Sequence, residues 1–358
     1  MDGSAVLRDS AELLVSGPDP SVLRLGLLLP LSGPLGLTGP SGLSAACLAV
    51  SEGDAGRAVE LVPVDAGRAP GVVAAEARLL ADAGLVEGFV GFHTSDVHRA
   101  LDPALSGRVP YVFTPPHEGG SRGRGVVLLG DSPGRQLGPA VRWLSERRGL
   151  RRWALVGNDY IWPRAVHQVV SRVVRALGAD VVLDRLVPFP WAAGEAGFEP
   201  LVDEVRQARA DAVLLSLVGR DLVAFNRVFA ASRISSRVVR LSGALEENVL
   251  LASGGDDTGE LYSAMRSFAG QGDDRQLAMA ERYRTVFGDA GPVLDAYAEG
   301  CYDGVHLLVS LAAAGALDAR GANEWLADGW AGTPFGAPRE EGQLARADGL
   351  DLRVIARL

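Results

Sequence analysis

The stretch RWALVGNDYIWPR, residues 152–164, decides the fold class of this chain. After Arg152, residues 153–157 form a continuous apolar run, which is typical of a parallel strand covered on both faces. Pro163 suits the first turn of a helix, and the spacing of apolar residues predicts an amphipathic helix over 163–177. The aromatic and polar residues between these two elements therefore lie where a strand ends and a helix begins.

The same alternation of short apolar runs and longer amphipathic runs extends in both directions from this stretch. Such alternation predicts βαβ units and largely parallel sheets. The predicted strands are residues 23–31, 59–65, 88–91, 111–113, 152–157, 180–188, 212–217, 238–242 and 350–356. The predicted helices are residues 41–51, 70–83, 95–106, 139–148, 163–177, 198–209, 221–232, 274–287, 295–314 and 319–328.

Length and charge restrict the architecture and the class of partner. The chain has 358 residues, which favours two domains because single cores rarely exceed roughly 250–300 residues. The βαβ pattern restarts near residue 151, and residues 1–22 indicate a loosely ordered arm. The net charge is −9, whereas nucleic-acid binders normally carry a basic patch, so we do not expect nucleic-acid binding.

The distribution of apolar residues gives an expectation for location. No stretch reaches the roughly 18 apolar residues of a membrane span. Residues 1–22 contain four acidic residues and lack the basic start and apolar run of a secretory signal. We therefore expect a cytoplasmic protein, with an extracytoplasmic location as the alternative if a leader has been removed.

Catalytic and cofactor motifs are missing from the sequence. A Walker loop requires a lysine and the chain has none, and neither G-x-S-x-G nor H-E-x-x-H occurs. His98 and His167 fall on predicted helices, where we expect surface roles. The doublet Glu246-Glu247 indicates a charged helix start or a ligand or hinge contact. Because nothing assembles a nucleophile, a base and an orienting group, we expect binding and no enzymatic activity, metal or cofactor.

The residues that follow the strands suggest what is bound instead. In parallel α/β sheets, ligands lie beyond the carboxyl ends of the strands. These positions are rich in hydroxyl and aromatic side chains, and Tyr160 and Trp162 are the clearest examples. Aromatic side chains can enclose a small ligand while Tyr O–H and Trp N–H orient it. Packing in the core is the competing interpretation for Trp162.

At this point the sequence resembles a known family. GNDYIWPR (157–164) is similar to the G-S-D-Y-I-Y-P-R segment of type I periplasmic-binding-fold proteins, in the short-chain amide and urea group that includes cytoplasmic amide sensors. Four further segments resemble the same group in order and spacing, namely LGLLLPLSG (25–33), VGFHTS (90–95), FTPPHEG (113–119) and QARADAV (207–213).

The resemblance implies a fold and a set of ligand contacts. The implied fold is α/β, with two Rossmann-like lobes that have parallel central sheets, are joined by three crossovers and hold ligand in a cleft. The implied division is residues 23–134 with 264–335 in the first lobe and 135–263 with 336–358 in the second. Carried over by position, the ligand-binding candidates are Ser95, Phe113, Thr114 or Pro115, Tyr160, Trp162 and His93, with Ser32 and Ser242 as loop candidates.

The sequence therefore predicts non-catalytic binding of an amide, a urea-like compound or an amino acid, with cleft closure signalling to a regulator protein. His93 and Phe113 differ from the tyrosines of the group, so acetamide is not implied. The first alternative is the solute-binding component of an ABC transporter for amides, urea or branched-chain amino acids. The second is a doubly wound enzyme. A second copy in a homodimer is a further expected partner.

Overall fold

The structure is a computed structural model that describes residues 6–269, 271, 272, 274–327 and 342–358, without the side chains of 325–327. Contacts within the chain divide it into two compact units. Among the described residues, unit 1 holds 6–115, 120–130 and 281–327, and unit 2 holds 116–119, 131–280 and 342–358. The lobes inferred from the sequence differ from this division at residues 116–119, 131–134 and 264–280, which lie in unit 2.

Unit 1 is built on a six-stranded sheet in which all neighbouring strands are parallel. Its strands are β1 (Val6–Leu7), β2 (Val22–Leu29), β3 (Ala58–Asp65), β4 (Gly88–Gly91), β5 (Tyr111–Phe113) and β6 (Val126–Leu128). The helices among them are α1 (Ser10–Ser16), α2 (Gly39–Glu52), α3 (Pro70–Asp82) and α4 (Ser95–Leu105). The spatial order is β1-β3-β2-β4-β5-β6, so the topological switch point, where ligands bind in such sheets, lies between β2 and β4.

The apolar strands form the core of unit 1. In β2 every residue after Val22 is buried, which matches the continuous apolar run of a strand covered on both faces. Leu28, Phe89 and Tyr111 lie in one buried cluster with residues from the flanking helices. Each of these side chains contributes about 1.5–3 kcal/mol of burial free energy, so this core fixes the ends of β2, β4 and β5.

Residues 6–16 differ from the loosely ordered arm expected from the sequence. They form β1, which pairs in parallel with β3, and α1, whose first turn is capped by the Asp9 carboxylate accepting from Ala11 N–H at 2.8 Å. Leu13 on α1 has no exposed surface. One buried leucine and one cap are too weak a signal to distinguish a helix of seven residues from a loop in the sequence.

Unit 2 is built on a sheet of seven strands in the order β13-β12-β11-β10-β9-β7-β8. Its parallel strands are β7 (Arg152–Asn158), β8 (Asp180–Val187), β9 (Ala212–Ser216), β10 (Val239–Ser242) and β11 (Leu261–Met265). The helices of this part are α5 (Pro133–Gln136), α6 (Gly138–Arg148), α7 (Ile161–Ala176), α8 (Glu199–Gln207), α9 (Gly219–Ala230) and α10 (Glu247–Ser253). Since β7 is flanked by β9 and β8, the switch point of this sheet is at β7.

The C-terminal part of the chain, from residue 274 onwards, contributes elements to both units. Helices α11 (Asp274–Phe287), α12 (Ala296–Ala313) and α13 (Ala319–Ala327) are followed by β12 (Gln343–Asp348) and β13 (Asp351–Arg357). The first half of α11, residues 274–280, lies in unit 2, and its second half, together with α12 and α13, belongs to unit 1. β12 is antiparallel to β11, and β13 is antiparallel to β12. The α/β class and the parallel-dominated sheets predicted from the sequence are confirmed.

Candidate functional site

Unit 1 brings the first-lobe candidates to the carboxyl ends of its strands. Ser32 follows β2, His93 and Ser95 follow β4, and Thr114 and Pro115 follow β5. Ser95 begins α4 and is 3% exposed. These strands are neighbours at the switch point of the sheet, so the candidates share one edge.

Ser32 lies in an exposed loop that one carboxylate holds in place. The Asp65 Oδ1 atom accepts from the backbone N–H groups of Leu31 at 3.0 Å, Ser32 at 3.1 Å and Gly67 at 2.9 Å. Partial burial raises the pKa of Asp65, but hydrogen bonds from the Ser32 side chain and from these N–H groups outweigh burial and lower it overall. The loop after β2 is therefore fixed by unit 1 itself.

His93 takes part in a chain of hydrogen bonds inside unit 1. Arg122 Nε donates to His98 Nε2 at 2.6 Å, His98 Nδ1 lies 2.9 Å from Tyr111 Oη, and His93 Nε2 lies 3.1 Å from the same oxygen. Because His98 Nε2 accepts, its Nδ1 carries the proton, and Tyr111 O–H is left to donate to His93. The remaining His93 nitrogen, Nδ1, lies 3.2 Å from the Thr94 carbonyl oxygen.

These hydrogen bonds show that the side chains of His93 and His98 lie in the interior of unit 1. Burial lowers the pKa of His93 to about 4, so its ring is neutral at pH 7. His98 has no exposed surface, which corrects the surface role expected from its place on a helix. Both ring nitrogens of His93 face groups of unit 1, so any ligand contact by this residue is made through ring carbon atoms.

Phe113, Thr114 and Pro115 are buried at the end of β5. The Phe113 ring is stacked on His98 with centroids 4.1 Å apart and packs against His93 at 5.1 Å. Thr114 Oγ1 donates to the Gly91 carbonyl oxygen at 3.2 Å. Phe113 therefore contributes to the core beneath the strand ends, and its own side chain has no exposed surface.

In unit 2, Tyr160 and Trp162 lie at the junction of β7 and α7. Tyr160 is the N-cap residue of α7 and packs on Phe189, with ring centroids 5.0 Å apart. Trp162 is 4% exposed, and its Nε1 is buried with no hydrogen-bond partner among the described residues. Buried polar groups in folded proteins nearly always have a partner, which makes this N–H a candidate donor to a ligand.

The strand ends of unit 2 are tied together by Asn158 and Asp221, which the sequence reasoning missed. Asn158 Nδ2 donates to Asp221 Oδ2 at 2.7 Å, and Asn158 Oδ1 accepts from Val218 N–H at 3.0 Å. Asp221 Oδ2 also accepts from the backbone of Trp191 at 3.1 Å. Burial raises the pKa of Asp221 and these bonds oppose the rise. Asn158 lies in the GNDYIWPR segment at a strand end, so the sequence alone could have indicated it as a site residue.

Ser242 and the acidic doublet have local roles. Ser242 has no exposed surface, and its Oγ accepts from Ala244 N–H at 3.1 Å. Glu246 caps α10 by accepting from Val249 N–H at 3.0 Å, and Glu247 Oε1 accepts from Ala269 N–H at 2.6 Å. The helix-start interpretation of this doublet is confirmed.

Three residues of unit 2 correct the expectation that no nucleophile, base and orienting group come together. His167 Nε2 lies 3.0 Å from Ser216 Oγ, and His167 Nδ1 lies 2.7 Å from Asp184 Oδ1. His167 is also buried, contrary to the expected surface role. However, Ser216 has no exposed surface, and a nucleophile must reach the substrate. The Ser216 hydroxyl is therefore out of reach of a substrate.

Among the described residues, no group of three or more His, Cys, Asp or Glu side chains is placed to hold a metal ion. None of the helices described is long and apolar enough to cross a membrane.

Comparison with known proteins places this geometry in a family. The sequence profile of the Periplasmic binding protein family matches residues 22–349. A solute-binding protein of an ABC transporter from R. palustris, in complex with benzoate, is similar in fold, with a TM-score of 0.78 and 18% identity over 94% of this chain and 96% of that one. A leucine-binding protein from Thermotoga maritima has a TM-score of 0.78 and 17% identity, covering 94% of this chain and 98% of that one. An ABC transporter substrate-binding protein from Sphaerobacter thermophilus has a TM-score of 0.77 and 20% identity, also covering 94% of this chain and 98% of that one. The chain therefore belongs to the periplasmic binding protein family and has its type I fold.

Proposed function

We propose that this chain is the solute-binding component of an ABC transporter and binds a small organic molecule without transforming it. The family match over residues 22–349 supports this role. So do the descriptions of similar structures, which are solute-binding proteins holding benzoate or 4-hydroxybenzoate and a leucine-binding protein. This role implies an extracytoplasmic location, which is the alternative to the cytoplasmic location expected from the sequence.

The buried Trp162 N–H carries the proposal. It is the donor at the start of α7 that lacks a partner among the described residues. A ligand oxygen that accepts from it would gain a hydrogen bond that water cannot replace in a buried position. Tyr160, next to it, supplies an aromatic face. We infer that the solute is small and presents an acceptor, such as the oxygen of a carboxylate or an amide.

A panel of small solutes tests this proposal. Thermal shift is measured with benzoate, 4-hydroxybenzoate, leucine, acetamide and urea, and a true ligand at 100 times its Kd adds about 2.7 kcal/mol to the unfolding free energy. Trp162→Phe keeps an aromatic ring and removes the indole N–H, so it weakens binding about tenfold. Trp143→Phe on α6 is the matched control and leaves the affinity unchanged. Failure of every solute to stabilise the protein contradicts the proposal.

A sensor that signals to a regulator protein is the second candidate. The GNDYIWPR segment favours it, because the corresponding segment belongs to the amide and urea group. Binding of acetamide or urea alone in the same panel would favour the sensor, whereas binding of an aromatic acid or leucine favours the transporter component. Cleft closure, the homodimer and the regulator stay predictions.

A further inference from the structure

The internal contact of Ser216, His167 and Asp184, here called the His167 bridge, joins three elements of unit 2. His167 lies on α7, Asp184 on β8 and Ser216 at the end of β9. The distances are 2.7 Å from Nδ1 to Asp184 and 3.0 Å from Nε2 to Ser216. His167 is 4% exposed and Ser216 has no exposed surface, so water does not readily replace the Ser216 bond, whereas the Asp184 side chain is 54% exposed.

The register of the sheet shows that the bridge passes over β7. Ser216 is paired with Gly157, and Asp184 is paired with Leu155. One imidazole therefore contacts the strands on both sides of β7. Residue 157 must lack a side chain for this to occur, because a Cβ there would stand 2.1 Å from Ser216 Oγ and 2.9 Å from His167 Nε2.

The direction of each hydrogen bond follows from the partners. A carboxylate only accepts, so His167 Nδ1 carries the proton and donates to Asp184. In the neutral ring Nε2 then accepts from the Ser216 hydroxyl. Every polar atom of the imidazole has one partner in this state, and the ring holds α7 at a fixed translation and rotation on the sheet.

The same helix carries the proposed ligand contacts at its first turn. Trp162 precedes His167 by five residues, which corresponds to about 7.5 Å along an α-helix. We propose that His167 is a positioning residue that sets where Tyr160 and Trp162 stand at the strand ends. This inference rests on the proposed function for its consequence, but its structural part can be measured without ligand.

Fluorine NMR of protein labelled with 5-fluorotryptophan provides that measurement. The Trp162 resonance is assigned by its loss in Trp162→Phe. His167→Asn retains an amide at the Nδ1 position and loses the Ser216 bond, so it should shift the Trp162 resonance as Ser216→Ala does. His167→Gln retains the Nε2 position and loses the Asp184 bond, and it should shift the resonance differently.

Val174→Ala is the matched control, because this buried residue lies on α7 and the substitution leaves a cavity without touching the bridge. It should leave the Trp162 resonance in place although it lowers stability. An unchanged Trp162 resonance in both His167→Asn and Ser216→Ala overturns the inference. A shift of equal size in Val174→Ala overturns it as well, since general loosening would then explain the effect.

Binding of benzoate and leucine supplies the functional readout. With whichever of the two binds, His167→Asn and Ser216→Ala should each weaken affinity about tenfold, and Val174→Ala should change it less than twofold. Wild-type affinity in both bridge variants overturns the inference even if the resonance moves. If the wild-type protein binds neither solute nor any other panel member, the proposed function fails, and the Trp162 resonance still decides the structural part.

Discussion

Gly157→Ala is the sharpest structural prediction, because the new methyl group meets a crowded point in the sheet of unit 2. The added Cβ would stand 2.1 Å from Ser216 Oγ and 2.9 Å from His167 Nε2. Overpacking a core typically costs 1–3 kcal/mol, and a buried group left without its hydrogen bond costs about 1–3 kcal/mol. Allowing for relaxation, we expect Gly157→Ala to lower the free energy of unfolding by about 3 kcal/mol.

Urea unfolding followed by tryptophan emission measures this loss in the relevant unit, since four of the six tryptophans lie in unit 2. Gly138→Ala, on α6, is the control, because its Cβ would meet only Val173 Cγ2 at 3.9 Å. It should be neutral or slightly stabilising. Gly157→Ala combined with Ser216→Ala should lose less than the sum of the single variants, because the closest clash is gone. Equal stability of Gly157→Ala and Gly138→Ala would refute the reasoning.

Three further predictions concern buried charge and capping. As pH falls from 6.5 to about 4, His93 is protonated in the unfolded state before it is protonated in the folded state, so the free energy of unfolding falls by up to about 3 kcal/mol. His93→Gln should reduce this dependence of the unfolding free energy on pH in urea titrations. An unchanged pH dependence in the variant would contradict the role given to His93. Asp256→Ala leaves the buried Arg240 guanidinium without the carboxylate 2.6 Å away and should cost about 3–5 kcal/mol by the same assay; a loss below 1 kcal/mol would contradict this. Glu246→Ala removes the cap of α10 and should cost about 1 kcal/mol in thermal unfolding, whereas an unchanged Tm would show that the cap is dispensable.

The sequence predicts the parallel part of the fold well, because its signal is local. The predicted bounds of β4 and β5 agree with the structure, and those of β2, β7 and β9 differ from it by one or two residues. Continuous apolar runs mark these strands, and nothing beyond neighbouring residues is needed to detect them. β6 and β11 were missed although they are as long as β5 and β9, which were predicted. β12 was missed because it mixes charged with apolar residues.

The candidate site is harder to predict, since its contacts join residues far apart in the chain. Tyr160 and Trp162 could be placed at a strand end from the local pattern alone. The His167 bridge could not, because His167 and Ser216 are 49 positions apart and meet only through the strand order β9-β7-β8. In the same way, no local signal shows that His93 is turned towards Tyr111, 18 positions later.

Isothermal titration calorimetry of the best solute from the panel tests the central claim most directly. The account predicts one molecule bound per chain, heat that returns to baseline after each injection, recovery of the solute chemically unchanged, and binding about tenfold weaker in Trp162→Phe than in wild type. Continuous heat from turnover of the solute, or identical affinity in Trp162→Phe and wild type, would contradict the claim that this chain binds a small solute at the start of α7.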